Sequence, residues 1–117
     1  MAEHHDFGQL GETKAVEYLI KQGYQILERN WRAGHRELDI ICTKDQLLVV
    51  VEVKTRELPE ERPEELLDFR KRRNIRVAAE AYIRLRQVKM EVRFDLILVI
   101  GRGMQIRHIP DAIQIFE

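Results

Sequence analysis

The run QLLVVVEVKTR, Gln46 to Arg56, constrains this chain more than any other stretch. Five consecutive apolar residues, three of them β-branched, read as a strand covered on both faces, since a strand with one wet face alternates apolar with polar. The run then ends in an acid and a base. Side chains alternate along a strand, so Glu52 and Lys54 point to one face while Val51 and Val53 point to the other. A carboxylate and an ammonium at the edge of a core carry a desolvation cost that something must offset.

The surrounding pattern supplies a sheet for this strand to occupy. Residues 8–22 (GQLGETKAVEYLIKQ) have helical spacing and are closed by Gly23. A strand from Tyr24 to Trp31 follows, then a break at Ala33-Gly34 and the strand HRELDIICT. The short turn at Lys44-Asp45 makes this strand and QLLVVVEVKTR an antiparallel hairpin. After an acidic loop with Pro59 and Pro63, a long helix is expected from about Glu64 to Gln87, with Pro63 in its first turn. The strand VRFDLILVI, a turn at Gly101-Arg102-Gly103, the strand MQIRHI and a short segment after Pro110 complete the order α-β-β-β-α-β-β. The long helix is expected to cross over and lay VRFDLILVI parallel to the sheet. The expectation is one α/β domain over residues 1–117, a mixed β-sheet flanked by helices.

Composition excludes several classes. With 117 residues, 44% hydrophobic and 34% charged, the chain is globular rather than disordered. No apolar run approaches the ~20 residues of a membrane span, and MAEHHDF does not resemble a signal peptide. A lone Cys42 allows no internal disulfide, so a cytoplasmic address is expected, with Cys42 a small buried apolar residue. Zero net charge argues against a charge-driven polyanion binder. Charge is nonetheless uneven: residues 57–68 hold six acids and one base, and residues 70–93 hold nine bases and two acids.

Four polar residues break the patterning. On the first helix, Gly8, Ala15, Val16, Leu19 and Ile20 form an apolar arc, and Glu12 falls in its middle. That carboxylate either lies at the mouth of the core with its head in water or belongs to a site. In RELDI, Glu37 and Asp39 share one strand face, and Leu38, Ile40 and Cys42 the other. Across the hairpin, Glu52 and Lys54 come within reach of Asp39. Taken singly, each is explained by a surface ion pair; three acids and a lysine in one layer call for more. Clustered carboxylates repel unless a cation lies between them, and an all-oxygen set suits Mg²⁺ or Mn²⁺. Such a metal acidifies a bound water, and Lys54 would orient that water and neutralise charge in the transition state. The chemistry this fits is phosphodiester hydrolysis.

An acid on the first helix, D…ExK on a hairpin and the α-β-β-β-α-β order resemble the PD-(D/E)xK, restriction-endonuclease-like nucleases. Within them, G-x-x-G-E from Gly8 to Glu12, RNWR from Arg29 to Arg32, RELDII, VVVEVKTR and RFD from Arg93 to Asp95 resemble the YraN-like proteins, a family related to archaeal Holliday-junction resolvases. The resemblance covers nearly the whole chain. It implies a restriction-endonuclease-like core, Asp39 and Glu52 as metal ligands, Lys54 as the catalytic lysine, and Glu12 as an accessory acid at the metal or its waters. Two departures stand out: Arg36 where the family usually has Gly, and the acidic ELPEERPEE in place of a glycine-containing loop.

On the long helix, Leu67, Ala78, Ala81, Tyr82 and Leu85 form the apolar arc, with Lys71 on it. Lys71 either reaches into the site or snorkels to water. Arg70, Arg73, Arg76 and Arg84, together with Arg56, either contact phosphates or are solvated. Trp31 stacks on a base or packs at a strand end, and Asp95 supports the site or caps a backbone group. His4, His5, His35 and His108 read as surface or tail residues. The leading expectation is a Mg²⁺- or Mn²⁺-dependent endonuclease acting on DNA rather than RNA, with branched or damaged DNA in view. A non-catalytic nucleic-acid-binding or scaffold module is the alternative, and a metal-independent RNA endonuclease the third. MQIRHI offers an edge for a homodimer, though nothing in the sequence decides the oligomeric state.

Overall fold

The structure is a computed structural model that describes residues 2–59 and 67–112, with side chains from Asp6 onward. The expected helix start at Glu64, Pro63 and the end of the C-terminal segment lie outside the described residues. The order is α1 (Ala2–Lys21), β1 (Gln25–Ala33), β2 (Arg36–Lys44), β3 (Leu47–Arg56), α2 (Phe69–Arg86), β4 (Glu91–Ile100) and β5 (Gln105–Ile109). The five strands form one mixed sheet in sequence order. Only β3 and β4 are parallel, in register from Leu47↔Glu91 to Arg56↔Ile100. Among the described residues no helix is long and apolar enough to cross a membrane.

The apolar run of β3 is buried on both sides, for the reason its pattern gives. Leu48 and Val50 pack with Ile75, Ala78, Ala79 and Tyr82 of α2, while Val49 and Val51 pack with Ala15 and Leu19 of α1. The β2–β3 connection is a two-residue hairpin. Asp45 and Gln46 both take positive φ (50° and 66°), the conformation that matches the twist of the strands it joins.

Both helices end on the same device. At the end of α1, Tyr24 N–H donates to Leu19 C=O (2.9 Å) and Gly23 N–H to Ile20 C=O (3.0 Å), with Gly23 at φ 94°. At the end of α2, Val88 and Gln87 make the corresponding bonds to Ile83 and Arg84, and Gln87 holds φ 54° without a glycine.

Three expectations need correcting. First, α2 begins at Phe69, and Leu67 and Asp68 are not part of it: Asp68 is extended (φ −74°, ψ 177°) and accepts from Lys71 N–H at 2.8 Å, the geometry of an N-cap. Leu67 is therefore core but not helical. Without Leu67 to anchor the arc, the buried face of α2 is Ile75, Ala78, Ala79 and Tyr82, and Leu85 is 65% exposed; Ile20 of α1 is 56% exposed. Second, Leu38 does not share a face with Ile40 and Cys42. It packs on the α2 side and they pack on the α1 side, because regular β2–β3 pairing ends at Ile40↔Val51.

Third, His108 is not a surface residue. It belongs to a buried network around Asp95, which is 0% exposed. Asp95 accepts from Arg93 Nε (2.9 Å) and Nη2 (2.8 Å) and from Asp111 N–H (2.9 Å), and pairs with His108 Nε2 (2.7 Å). His108 Nδ1 meets Tyr18 Oη at 2.9 Å and Arg93 Nη2 donates to Tyr24 Oη at 2.7 Å, so the network ties α1 to β4 and β5. Of the two readings of Asp95, the backbone cap holds: it caps Asp111 and lies outside the cleft described below.

Burial alone would raise the Asp95 carboxyl, but the hydrogen bonds from His108, Arg93 and Asp111 outweigh it and hold the group below its ordinary 3.8. A lowered carboxyl contributes stability that is present above the unfolded value and lost as pH falls through the folded one. Asp95→Asn should therefore cost about 3–5 kcal/mol in urea unfolding at neutral pH. The loss should shrink as pH is lowered below about 4, where the parent also loses the contribution.

Candidate metal and phosphate site

The site begins where β2 and β3 part. Asp39 Oδ2 accepts the Val53 N–H at 2.9 Å, so a side chain takes the place of a ladder bond just beyond Ile40↔Val51. The two strands splay from that point while β2 stays paired with β1 as far as Ala33↔Arg36. Opposite Asp39, Asn30 adopts a left-handed φ of 50°, a conformation Asn tolerates better than most residues. Its Nδ2 donates to Glu12 Oε1 at 2.9 Å, which fixes the head of the mispatterned helix acid.

The opening is a cleft of about 930 Å³, lined from α1 by Phe7 and Glu12, from β1 by Arg29, Asn30 and Arg32, and from β2 by Glu37 and Asp39. Glu52, Lys54, Thr55 and Arg56 of β3 and Lys71 of α2 complete the wall. Glu12, Asp39, Glu52 and Lys54 thus share one cleft, as the sequence pattern required. Of the six basic residues considered for phosphate contact, Lys71 and Arg56 line it. Arg70, Arg73, Arg76 and Arg84 do not, since α2 turns them away from this wall. Arg29 and Arg32 are the cations that residue patterning missed; their signal was the RNWR stretch of an edge strand. Trp31, between them, packs edge-on against Tyr82 with centroids 5.0 Å apart and is not free to stack on a base. Arg36, the departure from the family pattern, donates to Asn74 Oδ1 at 3.1 Å and stays outside the cleft.

The acids differ in environment. Glu52 is 2% exposed; its Oε2 lies 3.0 Å from Lys71 Nζ, and its Oε1 is buried with no hydrogen-bond partner. Burial first, and the neighbouring Asp39 second, push the Glu52 carboxyl up to about 8 against the pull of Lys71 and Lys54. Burial also raises Asp39, opposed by the Val53 N–H and Lys71. Glu12 is raised by burial and by Asp39, against Asn30 and Arg29. The cleft therefore retains a proton near neutral pH that ordinary carboxylates would have released. Cys42 is inert by contrast: burial pushes its thiol to about 12 and its Sγ lies 3.6 Å from Val49 C=O.

An orphaned buried carboxylate oxygen, a raised acid pair and an all-oxygen donor set fit a hard divalent cation. Among the described residues no three His, Cys, Asp or Glu side chains gather closely enough to hold an ion by themselves. The donor set that fits is therefore the pair Asp39 and Glu52, with Glu12 set back. Two carboxylates suffice for Mg²⁺, which keeps several waters and takes other oxygens from phosphate.

Glu12 is positioned by a close helix–strand contact at the preceding residue. A Cβ on Gly11 would collide with Thr55 Oγ1 and lie 2.9 Å from Thr55 Cγ2. Gly11→Ala should cost about 1–3 kcal/mol in urea unfolding, and Thr55→Ala in the same chain should recover more than half of that.

The chain matches the family model described as Uncharacterised protein family UPF0102 over residues 11–99, a span holding Glu12, Asp39, Glu52, Lys54 and Lys71. It is 49% identical over 115 residues to a UPF0102 protein of Bacteroides thetaiotaomicron, covering 96% of this chain and 95% of that protein. A UPF0102 protein of Parabacteroides distasonis is 45% identical over 117 residues (96% and 95%). One of Flavobacterium johnsoniae is 42% identical over 119 residues (96% and 97%). Over nearly its whole length, this chain belongs to the UPF0102 family of YraN-like proteins.

Proposed function

We propose that this protein is a Mg²⁺- or Mn²⁺-dependent endonuclease that hydrolyses DNA phosphodiester bonds, built on a restriction-endonuclease-like core. The observation that carries the reading is the pairing of Asp39 with Glu52 at the splayed end of β2–β3, with the Glu52 Oε1 buried and unpartnered beside Lys54. Cleavage of a phosphodiester needs charge neutralised on the phosphoryl oxygens, a water held in line and a path for its proton.

Asp39 and Glu52 would hold the cation, Asp39 kept in place by the Val53 N–H. A bound divalent ion supplies a more acidic water and charge stabilisation at phosphorus. Lys54, two residues after Glu52 on the same strand face, orients the attacking water and offsets the developing negative charge. Glu12, held by Asn30, faces the cleft from α1 and accepts hydrogen bonds from waters there. Arg29, Arg32 and Arg56 line the rim and position the backbone through phosphate contacts, which carry no sequence information. Zero net charge places this attraction in the local rim rather than in a field over the whole molecule. A branched or damaged substrate and a homodimer are finer parts of the same proposal, as is a cytoplasmic setting.

One observation favours the competing class, a nucleic-acid-binding or scaffold module without turnover: among the described residues no three ligating side chains form a closed group. The two readings separate in a cleavage assay on duplex, single-stranded and branched DNA with Mn²⁺, Mg²⁺ or EDTA. The nuclease reading expects cutting that EDTA abolishes, and at least a hundredfold loss in Glu52→Gln, Asp39→Asn and Lys54→Met. No cutting of any substrate, or equal cutting by these variants, would leave the binding module; activity in EDTA would point to a metal-independent enzyme.

The pH dependence has a definite sign. A raised carboxyl keeps its proton up to its folded value, so at limiting Mn²⁺ the rate should climb from about pH 6, pass its midpoint near pH 8 and level off above about pH 9, as Glu52 becomes available. In Glu52→Gln the residual rate should lack that rise.

A further inference from the structure

Lys71 is the third residue after the helix cap: Asp68 accepts its N–H at 2.8 Å, which sets where the side chain leaves α2. A lysine on the core-facing side of a helix ordinarily runs its stem along the apolar surface and takes its head out to water. This one turns inward. Its Nζ lies 3.0 Å from Glu52 Oε2, with 39% of its side chain still exposed, and both groups line the cleft. The ammonium thus occupies one oxygen of a carboxylate whose other oxygen has no hydrogen-bond partner.

We propose that Lys71 is a detachable counter-cation, which pairs with Glu52 in the cation-free protein and must leave it when a divalent ion binds. The inference rests on the reading of the cleft as a divalent-cation site and adds to it a competitor supplied by the chain itself. Removing Lys71 relieves a repulsion that acts twice as strongly on a dication as on a proton. Proton competition at Glu52 therefore does not cancel the gain. The partly exposed stem gives the head a route out, since a lysine side chain has four rotatable carbons and no fixed fork. The consequence is a site tuned to fill only when cation is plentiful.

The test is calorimetric titration of the full chain with Mn²⁺ alone at about pH 8.5, where the cation meets least competition from the proton. Lys71→Met and Lys71→Gln should each bind Mn²⁺ about tenfold more tightly than the parent, while Lys71→Arg, which keeps the charge, stays within about twofold. In a Glu52→Gln background, Lys71→Met should change Mn²⁺ affinity little, because the shared carboxylate is gone. Folding of each variant is checked by its urea midpoint, and two neutral replacements guard against one failing to fold. Equal or weaker Mn²⁺ binding in both neutral variants overturns the proposal while leaving the cation site standing. Absence of Mn²⁺ binding in every chain, parent included, overturns the cation site and the proposal with it.

Discussion

The hydrogen bond from Val53 N–H to Asp39 Oδ2 is the contact on which the rest of the molecule turns. In an uninterrupted sheet, β2 and β3 would remain paired and the face of Glu52 would be covered by neighbours. Asp39 instead satisfies the Val53 donor with its own side chain, so that N–H stays paired where the strands separate. Separation changes the side to which Leu38 points and exposes a wall shared by five elements. It also leaves two carboxyls facing one another in a poorly hydrated place. Fold and site are thus the same decision, made at one residue.

The electrostatics follow from that geometry. Two acids side by side, Glu52 buried and Asp39 half-buried, cannot both be charged without a compensating cation, and the chain offers three partial answers. A proton is retained, Glu52 being pushed up to about 8. Lys71 and Lys54 lend charge from α2 and β3, and Asn30 and Arg29 hold Glu12 apart. No donor group of the chain reaches Glu52 Oε1, which leaves only the retained proton to bridge it to Asp39. A core that tolerated this without function would be more stable with a methionine in place of the glutamate, which is why a ligand is the economical account. The second buried acid, Asp95, makes the contrast plain: every oxygen is paired with Arg93, His108 or Asp111, its carboxyl is held low, and it calls for no outside partner.

Much of this is legible in the amino acids. The five-residue apolar run predicts burial on both faces, and the mispatterned Glu12, Asp39, Glu52 and Lys54 do come to one cleft. What was missed has identifiable causes. Helical periodicity cannot see a cap, so the start of α2 was drawn through Leu67 and Asp68, and counting Leu67 as helical pulled the expected arc toward Leu85 and away from Ile75 and Ala79. Strict alternation cannot see a side chain replacing a ladder bond, which is why Leu38 was assigned to the wrong face. His108 looked unremarkable because its partners Asp95 and Tyr18 lie in other elements, and the Arg93 link to Tyr24 spans 69 residues of sequence. Arg29 and Arg32 sit on an exposed edge strand, where charge is ordinary and only the splay gives it a cleft to line.

The central claim, that the Asp39–Glu52 pair trades a retained proton for a divalent cation, is tested most directly by proton release. Mn²⁺ is titrated into the protein at about pH 7 in two buffers of different ionisation enthalpy, and the difference in heat counts the protons set free. The account predicts close to one proton released per Mn²⁺ bound, as expected for a carboxyl whose folded value lies near 8. Binding with no proton released, or no binding at all, would contradict it.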